Sequence, residues 1–240
     1  MVTGAPRRIG RAVCERLASD GWSLVLHSSE RSAEEARELA RLLQAGGTST
    51  RLVTGDLASP DTAQGLMAAA GPLDLLVNNA SLFEPDSASQ FDAACWERHF
   101  AVNLRTPVEL ASRFAASLRP SRTGAIVNII DQRVLRLTPR YFSYTLAKSA
   151  LWTATQTMAQ QFAPHVRVNA VGPGPVLPNQ NEGGDGFSRE TAAVPLERAV
   201  SPAEIADAVA WLATAPSVTG QMICVDAGQH IAWKTPDAVI

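Results

Sequence analysis

At 240 residues, 46% of them hydrophobic, the chain is long enough to bury a sizeable core and sits near the upper size of a single α/β domain. A net charge of −2 gives no electrostatic pull toward nucleic acid or an anionic membrane, and no apolar run approaches the roughly 20 residues of a membrane span. The opening "MVTGAPRRIG" lacks an apolar leader. Cys14, Cys95 and Cys224 lack paired spacing and the four histidines are scattered, so a soluble cytoplasmic protein with reduced thiols and no metal is expected.

Only Met1 and Val2 precede the turn at Thr3, so the first strand is either very short or begun upstream of Met1. "SLVLH" (23–27) reads as a strand, and "SAEEARELARLLQAGG" as a helix with apolar i, i+3, i+4 spacing and a glycine stop at Gly46 and Gly47. "TRLVTGD" is a strand; the helix after it is expected to take Ser59 as N-cap and Pro60 as first residue. "LDLLVNNA" leads to a helical region over roughly 88–118, and "GAIVNIID" to a stretch helical to about Ala163. "VRVNAVGPGP", "SPAEIADAVAWLAT" and "GQMICVDAG" predict a strand, a capped helix and a last strand. The strands are continuous apolar runs, as in a parallel sheet covered on both faces. Their alternation with helices predicts one doubly wound, mostly parallel α/β domain over 1–240. "NQNEGGDGFSRET" (179–191) reads as a long polar loop after a strand end, and a substrate lid is expected near 176–200.

"TGAPRRIG" (3–10) stands where a first strand turns into a helix, the place where glycines let backbone amides approach a pyrophosphate. "NNA" (78–80), Asn103, Tyr144 with Lys148 four residues on, and "GPG" (172–174) follow in order. This succession resembles the short-chain dehydrogenase/reductase family over essentially the whole chain. The resemblance implies a single-domain Rossmann fold with a seven-stranded sheet and helices on both faces. It also implies hydride transfer, with Tyr144 as proton donor, Lys148 lowering its pKa and holding the nicotinamide ribose, and Asn103 holding a relay water. A homotetramer, with the tail around Trp233 at subunit contacts, follows by analogy alone.

Two departures narrow the likeness. Arg8 replaces the middle glycine of the family turn, and Asp131 stands thirteen residues before Tyr144, where the family has its catalytic serine. Both occur in pteridine reductases and bacterial dihydromonapterin reductases. "NNASLF" (78–83) is similar to the pteridine reductase segment in which a serine (here Ser81) contacts cofactor and pterin and an aromatic ring (here Phe83) stacks on the pterin. "LHSSERSAEEA" (26–36) is similar to the stretch that holds the 2′-phosphate of NADPH. The slot where NAD-preferring members place an acid is Ser28, followed by Arg31 and Ser32, which suit a phosphate provided Glu30 points outward. Carried onto this chain, the cofactor set is Gly4, Arg8, Ile9, Gly10, His27, Ser28, Arg31, Ser32, Asp56, Leu57, Asn79, Ala80, Ser81, Tyr144, Lys148, Pro173, Gly174 and Val176. The pterin set is Arg8, Ser81, Phe83, Asp131 and Tyr144.

The aspartate has chemical content. An ionised carboxylate cannot donate a hydrogen bond to a carbonyl oxygen gaining negative charge, but it accepts from ring N–H groups, and with a raised pKa it can supply a proton. The expectation is an NADPH-dependent reductase turning a dihydropterin, such as dihydromonapterin or dihydrobiopterin, into the tetrahydro form. The alternatives are a reductase of another carbonyl or enoyl substrate, and a non-catalytic NADPH-binding sensor.

Overall fold

The computed structural model describes residues 1–119, 121–178 and 183–233. Among the described residues six parallel strands run β1 (Leu24–Ser28), β2 (Thr50–Thr54), β3 (Leu75–Asn78), β4 (Gly124–Ile129), β5 (Val166–Pro173) and β6 (Met222–Val225). They pair as β1–β2 and as β3–β4–β5–β6. The gap between the two groups is filled by Met1–Thr3. Val2 bridges Leu26 on one side and Val77 on the other. The amide of Val2 donates to Val25 O at 2.9 Å and that of Thr3 to Val77 O at 3.0 Å. These three residues take the place of the seventh strand of the expected sheet, third from the β2 edge. Every residue of β3 and β4 is buried, which is why their sequences are apolar apart from Asn78 and Asn128, which bond to each other.

Eight helices cover the sheet: α1 (Arg8–Ser19), α2 (Ala33–Ala45), α3 (Thr62–Ala70), α4 (Ala93–Phe100), α5 (Thr106–Ser117), α6 (Phe142–Phe162), α7 (Gly183–Ala193) and α8 (Pro202–Thr214). The apolar stripes of α1, α2 and α8 share one core with the sheet, built around Val13, Leu17, Leu39, Leu43, Ile205 and Val209. Leu66, Leu110, Phe114 and Met158, from α3, α5 and α6, build a second. A dry core on each face is the doubly wound arrangement read from the strand–helix alternation.

Four boundaries differ from expectation. α3 starts at Thr62 with Asp61 at its N-cap, because Ser59 and Pro60 belong to a turn in which Ser59 N donates to Asp56 O. The helical region expected from 88 begins at Ala93, where the Asp92 carboxylate caps Ala94 N and Cys95 N. α6 begins only at Phe142. The expected polar loop contains α7; its first four residues, 179–182, lie outside the described residues. α8 opens with the predicted Ser201 cap as a full capping box with Glu204.

The first turn is built around close approach. Gly4 sits at φ +61°, and a Cβ on Gly10 would lie 2.1 Å from the Gly4 carbonyl oxygen. Nothing stands within 4 Å of a Cβ on Gly65 in α3. Gly10→Ala is expected to cost about 3 kcal/mol or more of unfolding free energy, and Gly65→Ala to add roughly 0.5–1 kcal/mol. Denaturant melts of both variants check the pair, and equal effects would contradict this account of the turn.

Candidate active site

The strand ends open into a cavity of about 600 Å³, lined among others by Arg8, Asn79, Ser81, Phe83, Asp131, Tyr144, Lys148, Gly174 and Val176. Residues from five separate segments therefore meet there. Asp131 follows β4, and Tyr144 and Lys148 lie one turn apart on α6, so a single helix face presents both to the acid. The Tyr144 hydroxyl donates to Asp131 Oδ2 at 2.9 Å, and Arg133 N donates to Asp131 Oδ1 at 2.8 Å. Lys148, 2% exposed, donates from Nζ to Ile129 O at 2.8 Å, with Nζ 5.8 Å from the Tyr144 ring centroid.

Burial raises the Asp131 carboxyl above its ordinary value, against the pull of Arg133, the Tyr144 hydroxyl and Lys148. Burial lowers the Lys148 ammonium from 10.5 to about 8. Tyr144 corrects the expectation that Lys148 would depress its pKa. Burial, and then the negative field and hydrogen bond of Asp131, push the phenol well above 10. The acid bonded to the hydroxyl outweighs the ammonium lying across the ring, so Tyr144 remains a protonated donor aimed at a carboxyl group.

The loop between β3 and α4 is tied down at three points. Fully buried Asn103 accepts from Ser81 Oγ and Leu82 N, both at 3.0 Å, and donates to Leu82 O at 2.9 Å. It lies in a π-helical turn, Ala101–Arg105, that joins α4 to α5, and such bulges recur at functional sites. Buried His99 accepts from Glu84 N at 3.1 Å through Nε2, so Nδ1 carries the proton shared with Ser143 Oγ at 2.7 Å. Asp86 caps α6 from outside: its carboxylate accepts from Ser143 N and its carbonyl from Tyr141 N.

These ties set Phe83 face to face with Tyr141, ring centroids 4.0 Å apart, and edge-on to Tyr144 at 4.6 Å. Tyr141 stands at φ +57°, a strained setting for a tyrosine, as packing behind Phe83. His99, Asp86, Arg133 and Gln132 are site residues the motif reading missed. Their signal is spatial: they meet the site from segments with no shared spacing.

On the cofactor side, Thr3 Oγ1 accepts from Asn79 N and Ala80 N, while Asn79 Nδ2 donates to Thr3 O at 2.8 Å, fixing the "NNA" strand end beside the first turn. Arg8 lies at φ +50°, a conformation in which the family's glycine is unstrained, and its guanidinium reaches Leu177 O at 3.3 Å and Pro178 O at 3.5 Å. Ile9 joins Arg8, and Pro173 joins Gly174 and Val176, along the same cavity. His27 is buried beneath the turn. Its ring accepts from Gly4 N and donates to Gly55 O, so it buttresses the turn from inside. Ser28 is buried, Ser29 and Ser32 share a hydroxyl contact at 3.2 Å, and Glu30 and Arg31 are exposed. Asp56 is exposed with Oδ1 on Ala58 N, above buried Leu57. No acid fills the slot at Ser28, and Gly174 leaves a gap where a Cβ would meet Asp226 Cα at 2.6 Å. A nucleotide with a 2′-phosphate fits this donor set.

A family model described as Enoyl-(Acyl carrier protein) reductase matches residues 4–230. Among solved structures, FolM alternative dihydrofolate reductase 1 from Brucella canis, complexed with NADP, is 44% identical with a TM-score of 0.91, covering 100% of this chain and 96% of that one. The Brucella suis protein of the same name, also in complex with NADP, is 45% identical with a TM-score of 0.90, covering 98% and 96%. An uncharacterised oxidoreductase, YmfI, from Bacillus subtilis is 29% identical over 96% of this chain and 98% of its own length.

The buried ammonium yields a stability test. Below about pH 8 the amine is charged in both states and its full burial penalty, on the order of 3 kcal/mol, is present. Between about 8 and 10.5 the unfolded chain holds a proton that the folded chain has lost, so the penalty fades as pH rises. Lys148→Met is expected to stabilise the fold by about 1 kcal/mol or more at pH 7, with the gain shrinking toward pH 10.5. Melts across that range read it, and a destabilised variant at pH 7 would count against it.

Proposed function

The chain belongs to the short-chain dehydrogenase/reductase family of oxidoreductases, and within it we propose an NADPH-dependent reductase that converts a dihydropterin to the tetrahydro form. The observation that carries the reading is the Tyr144–Asp131 hydrogen bond at 2.9 Å, in the place where a ketone reductase needs a neutral hydroxyl donor. The two FolM structures, whose name specifies a dihydrofolate reductase, support it through 44% and 45% identity.

NADPH, when bound, supplies the hydride that reduces the ring C=N carbon. In this reading Gly4, Ile9 and Gly10 offer the backbone turn for its pyrophosphate, with Arg8 adding charge. Ser28, Arg31 and Ser32 take the 2′-phosphate, and Asp56 and Leu57 bound the adenine. Asn79, Ala80, Pro173, Gly174 and Val176 flank the nicotinamide end, where Lys148 takes the ribose. His27 acts through the Gly4 turn. Phe83 stacks the pterin, Ser81 and Arg8 orient it, and Asn103 holds the Ser81 hydroxyl and the Leu82 backbone beneath it.

The proton comes from the pair. In the protonated form of the pair the Asp131 carboxyl donates to the Tyr144 oxygen, the reverse of the bond made by the carboxylate. The Tyr144 O–H bond breaks as the new N–H bond forms on the ring, and the oxygen takes up that carboxyl proton. The net change is loss of one proton from Asp131, whose carboxylate then faces the Lys148 and Arg133 cations. Burial alone holds the phenol above its ordinary value, too weak an acid by itself, which is why the second proton holder is required.

NADPH oxidation is to be followed with dihydropterins, dihydrofolate and a panel of ketones and enoyl thioesters. Turnover confined to the ketones or enoyl compounds, or NADPH binding without turnover, would overturn the pterin reading. Because the neutral form of Asp131 is the donor, kcat/KM should fall as pH rises through a pKa above the ordinary 3.8. Asp131→Ser should remove that limb and lower kcat roughly tenfold or more; an unaltered profile would refute the acid's role.

A further inference from the structure

Two fully buried polar side chains follow one another along the chain, His99 near the end of α4 and Asn103 in the π-helical turn after it. Asn103 holds Ser81 Oγ and Leu82 N, and Nε2 of His99 accepts from Glu84 N at 3.1 Å. The loop is therefore pinned immediately before and immediately after Phe83. The other ring nitrogen of His99, Nδ1, meets Ser143 Oγ at 2.7 Å, and Ser143 directly precedes Tyr144 on α6. The imidazole also stands edge-on to the Tyr144 ring, at 69° with centroids 6.0 Å apart.

Packing alone does not account for this residue. A leucine would fill interior volume without the desolvation that a buried imidazole costs. Burial lowers the His99 pKa, opposed by Asp86 and Glu84, so the ring is neutral and Nε2 keeps a lone pair for the Glu84 amide. Glu84, Cys95 and His99 present a set of metal ligands whose donor atoms lie within 4.8 Å of one another. Both imidazole nitrogens are engaged, however, so the cluster is a hydrogen-bond junction with no lone pair on the ring left for a cation. What sets the junction apart is where its two arms end. One reaches the neighbour of the stacking ring, and the other the neighbour of the proton donor. Asp86 reinforces the second arm by accepting from Ser143 N at 3.0 Å.

We propose that His99 is a positioning residue that sets the stacking ring and the proton donor relative to each other: Nε2 fixes the loop that carries Phe83, and Nδ1 fixes the start of α6 that carries Tyr144. The inference rests on the roles proposed above for those two residues, binding for Phe83 and proton transfer for Tyr144. It does not depend on the reduced compound being a pterin. Proton transfer needs the acceptor atom within hydrogen-bond reach of the Tyr144 hydroxyl, and a misplacement of about 1 Å costs on the order of a hundredfold in rate.

The two arms are separable by substitution. The amide of an asparagine overlays Nδ1, and the oxygen of a glutamine reaches the place of Nε2. His99→Asn therefore keeps a donor for Ser143 and releases Glu84, whereas His99→Gln keeps an acceptor for Glu84 and releases Ser143. Steady-state kinetics are to be measured with NADPH and whichever of the dihydropterins, ketones and enoyl compounds is turned over. His99→Asn should raise KM about tenfold and leave kcat within about twofold. His99→Gln should lower kcat about tenfold and leave KM within about twofold. Ser143→Ala should repeat that kcat loss, and adding it to His99→Gln should cost less than about twofold more, because both cut one bond. Should either His99 variant fail to fold, as melting curves report, Ser143→Ala alone decides: kcat lowered with KM held supports the coupling, and unchanged kcat overturns it. Matching changes in KM and kcat from the two His99 variants would mean a core contact only and overturn the proposal. The split seen with a ketone or enoyl compound alone supports it while the pterin reading fails. Pterin turnover without the split overturns it and leaves that reading intact, and turnover of nothing overturns both.

Discussion

Lys148 carries an ammonium into the interior, where water cannot solvate it, and the chemistry of the site is arranged around that charge. Its nearest partner is the Ile129 carbonyl, a neutral dipole, and the nearby acid, Asp131, is itself pulled out of water. Neither group reaches its ordinary protonation behaviour: the amine falls to about 8 and the carboxyl rises. Tyr144 lies between them and, bonded to the acid, is pushed away from ionisation. Burial, with the field of Asp131 added at Tyr144, thus displaces the proton affinities of three groups within one cavity, the pattern expected of acid–base machinery.

Such a site is costly to hold. Arg8 and Tyr141 occupy left-handed backbone conformations, and Gln132 and Arg133 each leave a polar atom unpaired. The offset comes from the sheet behind them, where every residue of β3 and β4 is buried, and from side-chain hydrogen bonds that tie the strands to a helix. Asn78 donates to Asn128 at 2.9 Å, and Asn128 to Thr155 at 2.8 Å, linking β3 and β4 to α6. The helix that bears Tyr144 and Lys148 is therefore fixed to the strands by a buried amide ladder as well as by apolar packing.

Most of this fold was legible because a parallel sheet covered on both faces writes itself as unbroken apolar runs, and because Tyr144 and Lys148 share a helix face at a spacing of four. What escaped reading is set by distance in the chain. The start of α6 depends on Asp86, 57 residues before the amide it caps, and no local pattern announces a borrowed cap. α7 forms from a glycine-rich polar stretch whose composition argues for a loop. His27 and His99 gave no motif because each serves neighbours brought together only by folding. The protonation of Tyr144 turned on which partner lies closest in space, Asp131, whereas sequence order favoured the lysine.

The π-helical turn at Ala101–Arg105 has a consequence for how this chain tolerates insertion and deletion. Such a turn holds one residue more than an α-helical path between the same endpoints. Removing that residue would close the turn to a regular helix while α4 and α5 keep their places, because the extra residue lies between fixed endpoints. The loss would fall inside the turn, where Asn103 would be shifted off Ser81 Oγ and Leu82 N, both now at 3.0 Å. α4 could still face His99 toward Ser143, and α5 could still keep Leu110 and Phe114 in the core. A one-residue deletion here would therefore cost the site more than the fold, although it would make the helix more regular.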